Sequence, residues 1–360
     1  MKALLLAEYN QFQVEDLPLP LAGPDELLIR VAACGICGSD VHGYDGSSGR
    51  RIPPIIMGHE AAGTVEAAGA DVSKFRPGDR VTFDSTVYCG VCEFCRADAI
   101  NLCNSRQVMG VSCGEYRRPG AFAEFITVPA RIVYHLPPGI TFEEAAMLEA
   151  VSVALHGVSI GGIAGGETVL VIGAGMIGLL LLQAAHAAGS SRVFVADVDE
   201  TRLKLAKELG ADMVFHGSGS ALVEQVMHWT EGRGADVVLE AVGRDETVAA
   251  GIDCVRKGGT VTLVGNISPQ VTLPLQKVVS RQIRLQGSCA SAGEYPRAME
   301  LIANGSIKVA PLITVVAPLS DGASWFARLH AREPNLMKVI LAPRMDGLKG
   351  ATVSDSGGRV

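Results

Sequence analysis

Short apolar runs punctuated by glycine and proline dominate the first half of the chain. DELLIRVAAC, AAGTVEAAG, GDRVTFD, AFAEFITVPA and VYHLPPG carry the β-branched content and spacing of short strands. They predict a barrel-like or sandwich-like β unit with inserted loops. From about Gly157 the period changes. ETVLVIG leads into MIGLLLLQAAHAAG, RVFVADVD into ETRLKLAKELG, DMVFH into ALVEQVMHWT and DVVLEAVG into TVAAGIDCVRKGG, before TVTLVGN closes the series. Strands alternating with helices imply right-handed βαβ crossovers and a parallel sheet, hence an α/β fold. After about Ser291 come a helix, EYPRAMELIANG, mixed strands and a last strand, LMKVILAP. The Gly- and Ser-rich tail, 344–360, is expected to be mobile.

Two apolar stretches imitate membrane signals. MKALLLA ends at Glu8, too short for the ~7–15-residue core of a signal peptide and without a cleavage site, so it reads as a first strand. Residues 169–189 are uncharged and long enough to span a bilayer. A glycine fingerprint interrupts them where strand should give way to helix, so they read as a buried strand–turn–helix. No membrane association is expected. With no secretory signal the expected location is cytoplasmic, where thiols stay reduced and clustered cysteines mean metal or redox chemistry. At 360 residues the chain is long enough for two domains. A net charge of −7 without any Lys/Arg run excludes a nucleic-acid partner.

VLVIGAGMIG places Gly173, Gly175 and Gly178 in G-x-G-x-x-G spacing, with Ile177 inside the motif and Asp197 ending the next strand. The pattern alone is weak. After a strand, at the opening of a helix and followed by an acidic residue, it specifies a Rossmann dinucleotide site. The first glycine permits the tight turn, the second lets the backbone approach the pyrophosphate, and the third lets helix and strand pack closely. Asp197 can accept hydrogen bonds from the adenosine ribose and repels a 2′-phosphate, so NAD is expected rather than NADP. Arg202 is expected over the adenine.

Cys89, Cys92, Cys95 and Cys103 have C-x2-C-x2-C-x7-C spacing. Four thiolates close a tetrahedral zinc site and leave no position for substrate. Ferredoxin spacings differ, and the compartment disfavours disulfides. Chemistry therefore needs a second site. CGICGSDVHGYDG and MGHEAAGTV offer Cys37, Ser39, Asp40, His42, His59 and Glu60, with zinc-ligating residue types and a carboxylate that leave a coordination position open.

With EAAMLEAVSVALHG added, these motifs stand in the order of the zinc-dependent medium-chain alcohol dehydrogenase family, and the chain resembles its sorbitol/polyol dehydrogenase branch to about Pro343. The resemblance implies a GroES-like β-rich catalytic domain, 1–156 and 291–343, around an inserted Rossmann domain, 157–290, with the active site in the cleft between them. It implies a catalytic zinc on Cys37, His59 and a glutamate, either Glu60 or Glu149, with Asp40 fixing the orientation of His59. Hydride would pass from the alcohol carbon to nicotinamide C4, and Ser39 and His42 would carry the proton outward. Val264, Gly265, Asn266, Cys289, Ala290 and Ser291 would line the cofactor and substrate. A homotetramer, or a dimer, is the implied assembly.

The chain departs from animal-type sorbitol dehydrogenases at two places. Ala290 and Ser291 replace their Arg-Tyr pair, and Gly43 replaces the tyrosine after the relay histidine. An evident anchor for polyol hydroxyls is missing, so another sugar alcohol, a simpler secondary alcohol, a diol, a sugar or a hydroxy acid is an alternative substrate. A zinc-free quinone reductase is disfavoured by the ligand set, and a non-catalytic NAD sensor by the intact relay. Cys34, Cys113, Cys254 and Cys289 lack metal spacing and are read as structural thiols, Cys289 lying near the nicotinamide by its motif position.

Overall fold

The computed structural model describes residues 1–344, so nearly all of the predicted mobile tail lies outside the described residues. Packing divides the chain into two compact units: Met1–Glu149 with the segment from Val309 onward, and Ala150–Lys308. The second unit extends beyond the sequence boundaries at 156/157 and 290/291, and its added segments are bonded to each other and to helix Met176–Ala187. The His156 ring lies 2.7 Å from the Glu294 carboxylate, and the Gln183 carboxamide accepts from Lys308 N–H at 2.7 Å.

The first unit is the GroES-like β unit. Its main sheet runs Val133–His135, Arg80–Phe83, Glu60–Ala68, Glu26–Gly35, Lys338–Ala342, Ile313–Pro318, with Phe125–Pro129 also paired to Glu26–Gly35. Strand Glu26–Gly35 organises it, because its apolar residues face buried neighbours along nearly its whole length. Its antiparallel register with Glu60–Ala68 ends on Gly35 opposite Glu60. The returning strand Lys338–Ala342 pairs with its other edge, Ile340 opposite Gly35. Three distant segments thus meet at one end of the sheet. Lys2–Glu8 forms the predicted first strand, in a small separate sheet.

The second unit is a six-stranded parallel sheet in the order Met213–His216, Arg192–Asp197, Thr168–Ile172, Ala235–Glu240, Val255–Leu263, Arg284–Gly287. This is the doubly wound Rossmann arrangement, and its switch point falls between Thr168–Ile172 and Ala235–Glu240. All five residues of Thr168–Ile172 are buried, as expected of a strand covered on both faces. The predicted helix over TVAAGIDCVRKGG is shorter than its motif. It ends at Cys254, where Val255 turns to extended geometry (φ −77°, ψ 146°). Strand Val255–Leu263 begins there, with an irregularity before Thr260 that accommodates Gly258 at φ +70°. Among the described residues no helix is long and apolar enough to cross a membrane.

Candidate metal centres and dinucleotide site

The Gly35–Glu60 register explains the first centre. Cys37 lies two residues beyond the end of one strand and His59 one residue before the start of its partner, so both arrive at the same corner. One ligand atom each from Cys37, His59 and Glu60 lie within 4.8 Å of one another. Cys37 also caps the short helix Gly38–Tyr44, where Asp40 Oδ2 accepts its backbone N–H at 3.2 Å. Asp40 Oδ1 stands 3.3 Å from His59 Nδ1. Nε2 is therefore the nitrogen left for a metal.

The chemistry of the donors fits a cation. Glu60 is buried and its Oε1 has no hydrogen-bond partner, while Oε2 accepts from Lys338 Nζ. Burial opposes a positive charge on His59, yet the anionic surroundings, Asp40 first and then Cys37, raise its pKa well above the ordinary value. The pocket favours positive charge, and a zinc ion satisfies that preference together with the orphaned oxygen. Burial alone would also raise Asp40, but His59 and Arg51 outweigh it and lower the carboxyl to about 2.

Glu149 opens the helix Leu148–Ile160 and stands outside the compact ligand group. Burial pushes its carboxyl up to about 7, with His59 opposing and Glu60 adding to the rise. Ser39 and His42 lie three apart on the exposed side of Gly38–Tyr44, where they share a face, and Asp40 points inward.

Two functional neighbours escaped the sequence reading. Arg51, almost fully buried, donates to Asp40 Oδ1 at 3.2 Å and to Ser39 Oγ at 3.3 Å. It comes from a loop without periodicity, and nothing in GRRIPPII marks it. Lys338 is buried against Glu60 and donates to the Ile36 carbonyl at 3.2 Å. A lone cation inside the apolar strand LMKVILAP was its available signal.

The four-cysteine lobe is built from a one-turn helix, Glu93–Arg96, and a 3₁₀ turn, Ile100–Leu102. Its four sulfurs lie within 4.8 Å of one another, with no disulfide. Cys92 and Cys95 are 3.5 Å apart, Cys89 and Cys95 3.9 Å. Four sulfurs at ~2.3 Å around a tetrahedral zinc would sit ~3.8 Å apart, so the spacing fits the ion. Backbone N–H groups of Cys95 and Asn104 lower the Cys92 thiol to about 6, whereas desolvation pushes Cys95 up to about 12. A cation allows all four to ionise.

In the second unit, Gly173 turns at φ +98° and a Cβ on Gly178 would lie 1.7 Å from the Gly173 carbonyl oxygen. Around Gly175 that position is open, and Gly175 is the N-cap of helix Met176–Ala187, which contains Ile177. Backbone donors and unobstructed approach make a phosphate cradle. Asp197 ends its strand and accepts from Ala174 N–H at 2.5 Å and Asp199 N–H at 2.9 Å. Arg202 pairs with Asp199 at 3.5 Å. Val264, Gly265 and Asn266 follow strand Val255–Leu263, and Cys289, Ala290 and Ser291 follow Arg284–Gly287. Both segments leave the C-terminal edge of the parallel sheet, where such folds bind ligands.

Residues 23–138 match the alcohol dehydrogenase GroES-like domain, and residues 177–304 match the zinc-binding dehydrogenase family. The chain is 37% identical to human sorbitol dehydrogenase over 323 residues, 88% of this chain and 89% of that protein. It is 32% identical to sorbitol dehydrogenase of Bacillus subtilis (strain 168) over 347 residues, 95% and 97% of the two chains. Among solved structures, one from Sinorhizobium meliloti 1021, described as a zinc-binding dehydrogenase bound to NADP, superposes with a TM-score of 0.85. It is 32% identical, over 95% of this chain and 99% of that one. With both domain families matched in order and relatives aligned along nearly the full length, the chain belongs to the zinc-dependent medium-chain alcohol and polyol dehydrogenase family.

Proposed function

We propose that this enzyme oxidises a polyol or secondary alcohol to the ketone, reversibly, with NAD as the hydride acceptor. The observation that carries the reading is the buried, unpartnered Glu60 Oε1 gathered with Cys37 and His59, in a chain that also holds a complete dinucleotide cradle. The first unit is the catalytic domain and the second the cofactor domain. Cys37, His59 and Glu60 hold the catalytic zinc, Glu149 is the carboxylate that exchanges with Glu60, and Cys89, Cys92, Cys95 and Cys103 hold the structural zinc. Bound zinc supplies Lewis acidity toward the alcohol hydroxyl, and bound nicotinamide supplies the hydride acceptor.

The chain's own residues set the rest. Asp40 fixes the His59 ring, and Lys338 engages Glu60 Oε2, which leaves Oε1 as the atom that would be offered to a metal. Ser39 accepts from Arg51, which leaves its hydroxyl proton free to point at substrate and pass toward exposed His42. Asp197 keeps lone pairs for the adenosine ribose, and its negative charge disfavours a 2′-phosphate. Arg202 is already engaged by Asp199, so NAD is favoured although a relative binds NADP. Gly173, Gly175, Ile177 and Gly178 hold the pyrophosphate; Val264, Gly265, Asn266, Cys289, Ala290 and Ser291 face the nicotinamide and substrate. Ala290 and Ser291 offer no cationic anchor, which widens the candidate substrates to diols, sugars, hydroxy acids and simpler secondary alcohols. A cytoplasmic homotetramer completes the reading.

The test is NADH appearance over a panel of polyols, diols, secondary alcohols, aldoses and hydroxy acids, with Cys37→Ala as control. The variant should lose turnover while still binding NAD. Turnover that survives in Cys37→Ala would refute the zinc mechanism, and silence of the wild type across the panel would refute the catalytic reading.

A further inference from the structure

Glu240, the last residue of strand Ala235–Glu240, is fully buried, yet among the described residues no Lys, Arg or His pairs with it. A carboxylate without a counter-ion is an expensive thing to bury, and hydrogen bonds are what make it tolerable. Backbone N–H groups of the turn that follows hold the carboxylate, and the Thr247 side chain adds a hydrogen bond. Oε1 accepts from Val242 and Gly243, both at 2.9 Å, and Oε2 from Gly243 at 3.0 Å. Its own carbonyl accepts from Val264 and Gly265, both at 2.9 Å. One residue therefore ties together the turns that follow two adjacent strands.

Those turns form a single backbone platform. Ile267 N–H donates to Val242 O at 3.3 Å and Ser268 N–H to Gly243 O at 2.9 Å. Gly243 sits at φ +80°, and a Cβ there would lie 2.5 Å from Asn266 N. A Cβ on Gly265 would lie 2.2 Å from Val242 N. Ala241 N–H donates to Ile172 O at 2.9 Å, and Val242 Cγ2 is 2.6 Å from where a Cβ on Gly173 would stand. The platform therefore abuts the first glycine of the fingerprint, at the switch point of the sheet.

In a doubly wound sheet each half takes one mononucleotide. Asp197 and the glycine turn belong to the half containing Thr168–Ile172 and Arg192–Asp197, which takes adenosine. The platform belongs to the other half. We propose that Glu240 is a positioning residue for the nicotinamide half of the dinucleotide, fixing the 241–243 and 264–266 turns as one rigid surface. This rests on the dinucleotide reading of the same unit.

The experiment compares NADH with AMP, which lacks the nicotinamide half, by titration calorimetry on the full-length zinc-loaded protein. Glu240→Gln retains one carbonyl acceptor but turns the Oε2 position into a donor facing Gly243 N–H. It should weaken NADH about tenfold and AMP by less than about twofold. Gly243→Ala, which strains the same platform without touching the carboxylate, should show the same split. Equal loss of both ligands, or loss of neither, overturns the proposal. So does failure of both variants to fold, which would make Glu240 a support of the whole domain. Wild-type protein that binds neither ligand overturns the dinucleotide reading itself, and is told apart because no variant is involved.

Discussion

Lys338→Met tests how the metal centre is held. Lys338 and Glu60 are 1% and 0% exposed, and the lysine is the carboxylate's cationic partner. Methionine fills most of the stem's volume, so the change removes charge and hydrogen bonds more than packing. Breaking a buried pair by deleting one partner costs about 3–5 kcal/mol, because the other charge stays buried and uncompensated. Loss of the donor to the Ile36 carbonyl adds to this. For a unit of this size 1 kcal/mol shifts the melting temperature by about 2–4 °C, so the zinc-free variant should melt about 6–20 °C lower. Zinc on Oε1 offers the stranded carboxylate a second cation, so the deficit should shrink when metal is bound. Linkage then requires the variant to bind zinc more tightly than wild type does. Chelator competition checks that sign; an affinity 10–100-fold below wild type, the range seen when outer partners of metal ligands are removed, would show instead that Lys338 acts by orienting Glu60. Melting with and without a chelator, beside a Glu60→Gln/Lys338→Met double variant, completes the cycle. A zinc-free Lys338→Met protein melting within about 2 °C of wild type would refute the reasoning.

Asp197→Ser removes the charge that disfavours a 2′-phosphate and should shift the kcat/KM ratio toward NADP; an unchanged ratio would sink the Asp197 assignment. Cys92→Ser should release the lobe zinc while the Cys37 centre keeps its own, read by metal analysis, and should open residues 89–103 to proteolysis. Burial, and Asp253 after it, push the Cys254 thiol up to about 12, against an ordinary value of about 8.5. Between those values the unfolded chain holds fewer protons than the folded one. The contribution is therefore complete below about pH 8.5 and lost as pH rises toward 12, with a slope of at most about 1.4 kcal/mol per pH unit. Cys254→Ala should flatten that alkaline decline in urea melts; an unchanged slope would place the titration elsewhere.

The fold was legible wherever a period ran long enough. Five buried residues in Thr168–Ile172 followed by a glycine turn and an apolar helix leave little choice of architecture. The lobe was legible because its four ligands are local, within fifteen residues. The candidate metal centre was legible only in its local parts, Cys37 with Asp40 and His59 with Glu60. What joins those parts is strand register, and register is set by the pairing of Glu26–Gly35 with partners from both ends of the chain. Lys338 reaches Glu60 across Gly35, where a Cβ would lie 2.4 Å from Glu60 Oε2. No periodicity along the sequence reports that crossing. Glu240 was hidden for a related reason: its strand reads as apolar, and only the turns it gathers reveal why it is charged.

Gly43 shows how a departure from the relatives changes meaning once neighbours are known. By sequence it is an absence, glycine where polyol relatives of the animal type carry tyrosine. In the fold it is buried, and a Cβ there would fall 2.1 Å from Cγ of Arg51. The arginine stem occupies what a side chain at position 43 would need, and delivers its guanidinium to Asp40 and Ser39. Position 43 cannot be restored by itself, because any larger residue must first displace the cation that steadies Asp40. A Gly43→Ala variant should therefore disturb the Arg51–Asp40 pair before it changes anything at the substrate.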